Sequence, residues 1–262
     1  MKAGCHLTPR TLLVLASLLL SVTLGLVLGH RGGVDSAGES GAARELTIGL
    51  SLDTLKEARW QADRDMFERR AGELGARVLA LSANGDDTVQ IGDVEKLLTN
   101  RVDVLVIVPH DGQAMAKAVR LAHEAGVPVI AYDRLIRDSD LDLYVSFDNL
   151  RVGELQARYL LDHLPQRGRG RIVRIFGAKT DNNAALFKEG QDRVLAPYVE
   201  RGDIQILHED WAEDWKPENA KRIVNAAITA QGSRFDAVLA SNDGTAGGAV
   251  QALIEEGLAG RV

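Results

Sequence analysis

A single cysteine, Cys5, serves all 262 residues. The chain can therefore form no internal disulfide and no cysteine-ligated zinc site, and beyond residue 5 it has no thiol nucleophile. In an exported protein such scarcity suits a bacterial periplasm better than a disulfide-rich exterior. Basic charge is also short, with 31 Lys and Arg against 37 Asp and Glu and a formal net charge of −6. That excludes the basic face that nucleic-acid binding requires. The six histidines (6, 30, 110, 123, 163 and 208) show no metal-ligand spacing, so none is assigned a function and neither metal nor other cofactor is expected. No base sits beside an activated nucleophile, so the chain is not expected to be an enzyme.

One long apolar run is present. Lys2 and Arg10 precede residues 11–29, which carry no charge and are rich in Leu and Val, and a small-residue stretch follows. A basic start, apolar middle and small-residue exit read as a secretory signal peptide over 1–29. The run is also long enough to serve as an uncleaved membrane anchor. Residues 30–44, mostly Gly, Ser and Ala, read as a flexible linker. Cys5 precedes the run and so cannot be the lipid-acceptor cysteine that would follow it. Removing 1–29 takes away Lys2 and Arg10 and leaves 233 residues with a formal charge of −8.

From residue 45 short apolar runs alternate with helical stretches. The runs at 46–52, 76–82, 102–108, 127–132 and 143–147 read as buried strands, with helices predicted at 57–74, 87–99 and 111–125 and with Gly75 and Gly126 as helix stops. The grammar restarts after Asn149, with helices near 151–164, 183–197, 217–230 and 245–257 and strands at 171–176, 204–209 and 236–241. Repeated strand-then-helix units predict an α/β fold of parallel sheets flanked by helices. Two such blocks suggest two lobes, 45–149 and 150–262, crossing near Asp148 and Asn149.

In open parallel sheets ligands bind beyond the carboxyl ends of the strands. Lys56, Arg59 and Trp60 follow the first run, Asn84 the second, Asp133 and Arg134 the fourth, Asp148 and Asn149 the fifth, and Asn242 and Asp243 the last. Carboxylates accept while guanidinium and amide groups donate, so Asp133, Arg134, Asn149 and Asn242 suit the vicinal hydroxyls of a polyol. Trp60 and Trp215 could cover the apolar faces of a sugar ring. Bland readings stand beside these. Asp133 and Arg134 could form a surface pair, Asn242 and Asp243 could cap a helix, Asn84–Gly85 could be a turn, and Trp211 could simply pack. Trp60, in a polar helix, is expected at the surface or in the cleft rather than in the core. On the cleft reading, Asp133→Asn and Arg134→Lys cost little thermal stability.

The stretches ARWQADRDMF (58–67), SANG (82–85), DVLVIVPHDGQ (103–113), AYDR (131–134), SFDN (146–149), GELQAR (153–158), DNNA (181–184), PENA (217–220) and SNDGTAGGA (241–249) resemble the xylose-binding branch of the type I periplasmic sugar-binding protein family. The resemblance runs from about residue 46 to residue 262. It implies two Rossmann-like lobes that close on a sugar at a hinge. D-xylose or a related monosaccharide is then the ligand, and Trp60 and Trp215 stack on the ring while Arg59, Asp133, Arg134, Asn149 and Asn242 bind its hydroxyls. It further implies a monomer that delivers sugar to the permease of an ABC transporter in the inner membrane. A membrane-anchored extracytoplasmic sugar sensor is the alternative. Family members continue beyond the position of Val262 with an acidic ligand, a return crossing and a basic ligand. The chain is accordingly expected to be C-terminally truncated, with a partner strand missing from each lobe.

Overall fold

The computed structural model describes residues 44–262. The expected signal or anchor at 1–29 and the linker at 30–44, apart from its last residue, lie outside the described residues. No helix among the described residues is long and apolar enough to cross a membrane. Residues Glu45–Val262 form one compact unit.

The chain runs β1 (Leu46–Leu52), α1 (Ala58–Glu73), β2 (Ala76–Ser82), α2 (Asp87–Thr99), β3 (Val104–Val108), α3 (Ala116–Glu124), β4 (Val129–Tyr132) and β5 (Leu143–Val145). It continues through α4 (Asn149–His163), β6 (Gly170–Phe176), α5 (Asn182–Glu200), β7 (Ile204–Trp211), a single 3-10 turn (Glu213–Trp215), α6 (Pro217–Gln231), β8 (Ala237–Ala240) and α7 (Asp243–Glu255). A five-stranded sheet has the order β2-β1-β3-β4-β5 and a three-stranded sheet the order β7-β6-β8, with every pairing parallel.

Strands buried on both faces need apolar side chains at every position, and β3 shows how this is met. Leu105 and Ile107 point to one face, against Val94, Leu97 and Val119 of α2 and α3. Val106 and Val108 point to the other, against Leu50, Leu52 and Trp60. In β6, Val173 and Ile175 pack against α6 and α7, while Ile172 packs against α4 and α5. Each such side chain contributes about 1.5–3 kcal/mol by leaving water.

Helix starts are built from acids and amides. Asp86, Asp148, Asp181 and Asn242 accept from backbone amides two or three residues on, at 2.8–2.9 Å. Gly75 and Gly126 end α1 and α3 at φ +77° and +72°, where a side chain would be strained. The helix expected from 111 begins only at Ala116, because Asp111 Oδ1 accepts from the amides of Gln113 and Ala114 and holds a turn there. The helix expected to end at Pro197 runs on to Glu200. β5 keeps only three residues, all exposed.

Candidate functional site

The loops beyond the carboxyl ends of both sheets meet around one guanidinium. Arg134 follows β4 and is 7 % exposed. Its Nη1 donates to Asp53 Oδ2 at 2.7 Å and to the Pro109 carbonyl at 3.1 Å, and its Nε pairs with Asp181 Oδ2 at 3.1 Å. Asp53 comes from the first residue after β1, whereas Asp181 begins α5 beyond β6, so Arg134 ties the two sheets' loops together. Burial lowers the Arg134 pKa, but the charges of Asp181 and Asp53 more than offset it and hold the group above its ordinary value. Burial raises the Asp53 carboxyl as well. His110 and Arg134 outweigh that and hold it below the usual carboxylate range. For Asp181 burial dominates and pushes the carboxyl up, opposed by Arg134, the Asn183 amide and the Trp215 indole. Three N–H groups aimed at one carboxyl suit its ionised form.

Beside this lies an amide network. Asp133 sits at φ +64°, a conformation that Asp and Asn tolerate better than most residues. Its carboxylate takes Arg59 on one oxygen and Asn183 Nδ2, at 3.0 Å, on the other. Its carbonyl accepts from Ser146 Oγ at 2.6 Å and from Asn183 Nδ2 at 3.1 Å. Asn149 donates to Asn183 Oδ1 at 2.9 Å, and its own buried Oδ1 has no partner. The amide of Gly112 donates to the Thr180 carbonyl at 3.2 Å, a second join between the loops of the two sheets.

The tryptophans are seated differently from expectation. Trp60 is 5 % exposed and belongs to the core cluster under β1 and β3, which corrects the expectation that it lies outside the core. The apolar side chains of those strands leave the first turn of α1 no other face to bury. Its ring nevertheless carries cations above it, with the Arg59 and Arg134 guanidinium carbons 4.3 and 5.5 Å from the centroid. Trp215 is 7 % exposed, meets Phe187 edge-on, and donates from Nε1 to Asp181 at 3.0 Å. Its ring lies on the bare backbone of Gly177, where a Cβ would fall 2.1 Å from Cη2. Trp211 packs against Phe176 at 5.0 Å between centroids.

Asn242 takes no part in these hydrogen bonds. It is exposed and caps α7, accepting from the Thr245 amide and hydroxyl at 2.8 and 2.7 Å. Losing a cap costs about 1 kcal/mol, so Asn242→Ala is expected to lower the melting temperature by about 2–4 °C, read by calorimetry. A sugar affinity unchanged by that substitution would remove Asn242 from the binding set.

Residues that strand-end reasoning left out prove central: Asp53, His110, Asp181 and Asn183. Asp53 directly follows β1, His110 lies two residues beyond β3, and DNNA lies beyond β6, so the same rule applied to those three ends reaches all four. What the sequence does not show is that His110 meets Asp53 and Asp214, both distant along the chain. Among the described residues no group of His, Cys, Asp and Glu could hold a metal ion. A hollow of about 600 Å³ lined by Arg169, Arg171, Asp203 and Asp236 lies at the opposite, amino-terminal ends of β6 and β8, away from the polar cluster.

Comparison with known proteins places this geometry in context. Residues 48–262 match the family described as "Periplasmic binding protein domain". The D-xylose-binding periplasmic protein of Escherichia coli K12 is 48 % identical over 220 residues, covering 84 % of this chain and 66 % of its own length. The D-xylose-binding periplasmic protein of Haemophilus influenzae is 46 % identical over 223 residues, covering 85 % of this chain and again 66 % of its own. The chain thus spans just under two thirds of the length of these relatives. Among solved structures, an ABC transporter solute binding protein from Clostridium phytofermentans with bound β-D-glucose superposes with a TM-score of 0.74 at 32 % identity, covering 80 % of this chain and 68 % of that one.

Proposed function

This chain belongs to the periplasmic binding protein family, and we propose that it captures D-xylose or a similar aldopentose between the loops of its two sheets and delivers it to an ABC importer. The observation that carries this reading is the meeting of Asp133 and Arg134 with Asp181 and Asn183, drawn from both sheets into one cluster of directed donors and acceptors. Such groups match vicinal hydroxyls, because a carboxylate accepts two hydrogen bonds and an amide or guanidinium donates two. In this proposal Arg59, Trp60, Asp133, Arg134, Asn149 and Trp215 form the sugar site, with Asn242 at its rim. The lobes are 45–149 and 150–262. The protein acts as a periplasmic monomer, and the permease is its partner in the membrane. The sensor alternative is not favoured, since the relatives named for xylose are binding proteins.

Calorimetric titration with xylose, arabinose, ribose and glucose tests the proposal. The expected result is saturable heat with xylose bound most tightly. Asp133→Asn keeps the shape, and Asn accepts the same positive φ, so the fold should survive while one charged acceptor is lost. Charge-assisted hydrogen bonds contribute about 1.5–3 kcal/mol, so affinity should fall at least about tenfold. Equal affinity in parent and variant would take Asp133 out of the site, and no heat with any of the four sugars would sink the reading.

A further inference from the structure

His110 sits two residues beyond β3 and points its ring between carboxylates on opposite sides of the cluster. Nδ1 lies 3.0 Å from Asp53 Oδ1, and Nε2 lies 3.8 Å from Asp214 Oδ1 in the 3-10 turn beyond β7. Its loop is anchored. The His110 amide donates to Gln90 Oε1 at 2.9 Å, and the fully buried Gln90 donates in turn to the Val108 carbonyl at 2.8 Å and the Ser51 hydroxyl at 3.3 Å. The turn opposite is strained, with Asp214 and Trp215 as consecutive residues at φ +54° and +58°. Aspartate tolerates that region, but for a bulky residue such as tryptophan it is an outlier that surrounding contacts must hold. Two holds come from the same side of the cluster, Asp181 on the indole and Lys216 on Asp214 at 2.6 Å. His110 reaches the turn from the other side.

We propose that His110, as an imidazolium, is a positioning residue that pins the Asp214–Trp215 turn across the cleft and so makes sugar affinity depend on pH. The proposal rests on the sugar-binding reading above. The carboxylates facing the ring are Asp53 and Asp87 from the loops of the five-stranded sheet and Asp214 from the other side. Asp111, the next residue along the chain from His110, turns its backbone amide and its charge towards Asp87, and the nearby cations are already engaged, Arg134 on Asp53 and Lys216 on Asp214. The Asp53 carboxylate, 3.0 Å from Nδ1, is the largest influence on the imidazole. Burial opposes it, the charges of Asp53, Asp87 and Asp214 add to it, and the pKa stands above its ordinary value. Opening the cleft removes Asp214 and leaves Asp53, so the joined form holds the proton more tightly. A group raised in the joined form stabilises it fully below the pKa of the open form and loses that effect as pH rises through the raised one. Affinity should therefore fall with rising pH.

Two measurements test this. In the xylose-saturated protein, the His110 ring resonances are followed by NMR through a pH titration in the parent and in Asp214→Asn, an exchange at a half-buried turn residue that keeps shape. The midpoint should move down in the variant, and an unmoved midpoint overturns the pin. Xylose titrations from about pH 6 to about pH 8 should show parent affinity falling by about threefold or more. His110→Gln, which keeps a polar side chain without a titrating ring, should show a flat profile. A slope retained in His110→Gln overturns the proposal while leaving the sugar reading intact. Absence of xylose heat at every pH overturns the sugar reading and the coupling with it.

Discussion

Replacing Arg134 with methionine is expected to destabilise the folded chain by about 3–5 kcal/mol, the cost of leaving buried charges without their partner. The guanidinium is shared between Asp53 and Asp181, each under a tenth exposed, and also satisfies the Pro109 carbonyl. Methionine fills much of the volume, so the loss comes from two carboxylates left facing each other in a dry site. The denaturant midpoint should fall accordingly, without a change in slope. Adding Asp181→Asn to the methionine variant should restore part of the loss, since neighbours in one network are not additive. The deficit should also shrink as the pH falls, because burial already raises the Asp181 carboxyl and its protonation removes the unpaired charge. A methionine variant as stable as the parent would return Arg134 to the surface pair of the alternative reading. The structure instead overturns the expectation that Arg134→Lys is cheap, since a lysine cannot reach both carboxylates with a planar fork.

Gly190→Ala is expected to cost about 3 kcal/mol, although alanine is the better helix former by about 1 kcal/mol. α4 and α5 cross backbone against backbone. A Cβ on Gly190 would lie 2.1 Å from the Leu150 carbonyl oxygen, and one on Gly153 would lie 2.1 Å from that of Phe187. Neither neighbour is a flexible side-chain end, so the helices themselves must separate and uncover the cluster of Ala157, Leu160, Leu161 and Leu195. Gly72→Ala in α1 serves as the control, because nothing lies within 4 Å of its Cβ position and the substitution should be neutral or slightly stabilising. Thermal melts of the two variants should differ by several degrees in that order, and coincident melts would mean that the crossing yields without cost.

Central strands announce themselves in this chain because both their faces are covered, which makes β3 the unbroken apolar run Val104–Val108, whereas the edge strands β5 and β7 are exposed or carry polar residues. Element ends blur where a local side chain decides the backbone, as Asp111 does at the start of α3. The site is half legible. Asp133 and Arg134 are visible at a strand end, yet what they touch is not, since Arg134 meets Asp53 81 positions away. Trp60 misleads for a related reason. Its helix is polar because α1 covers the sheet with little more than one turn's worth of apolar contact, Trp60 and Ala71 being its buried residues. Asn242 is the case in which one residue type fits two roles, and the cap is the role the backbone amide of Thr245 fulfils.

The all-parallel pairing also governs how the chain reaches this structure. Leu46 pairs with Ala76 and Ile48 with Val104, while Gly170 pairs with Ile204 and Ile172 with Ala237. Among the described residues no hairpin joins the sheet strands, so, apart from the short β4–β5 connection, each pairing waits until a whole helical crossover has been gathered in and its loop-closure entropy lost. Folding is therefore dominated by contacts distant in sequence and belongs to the slower, milliseconds-to-seconds regime. During that interval the apolar runs of β1 and β3, central to the finished sheet, stand open to other chains, and the yield of folded protein should fall as refolding is attempted at higher concentration.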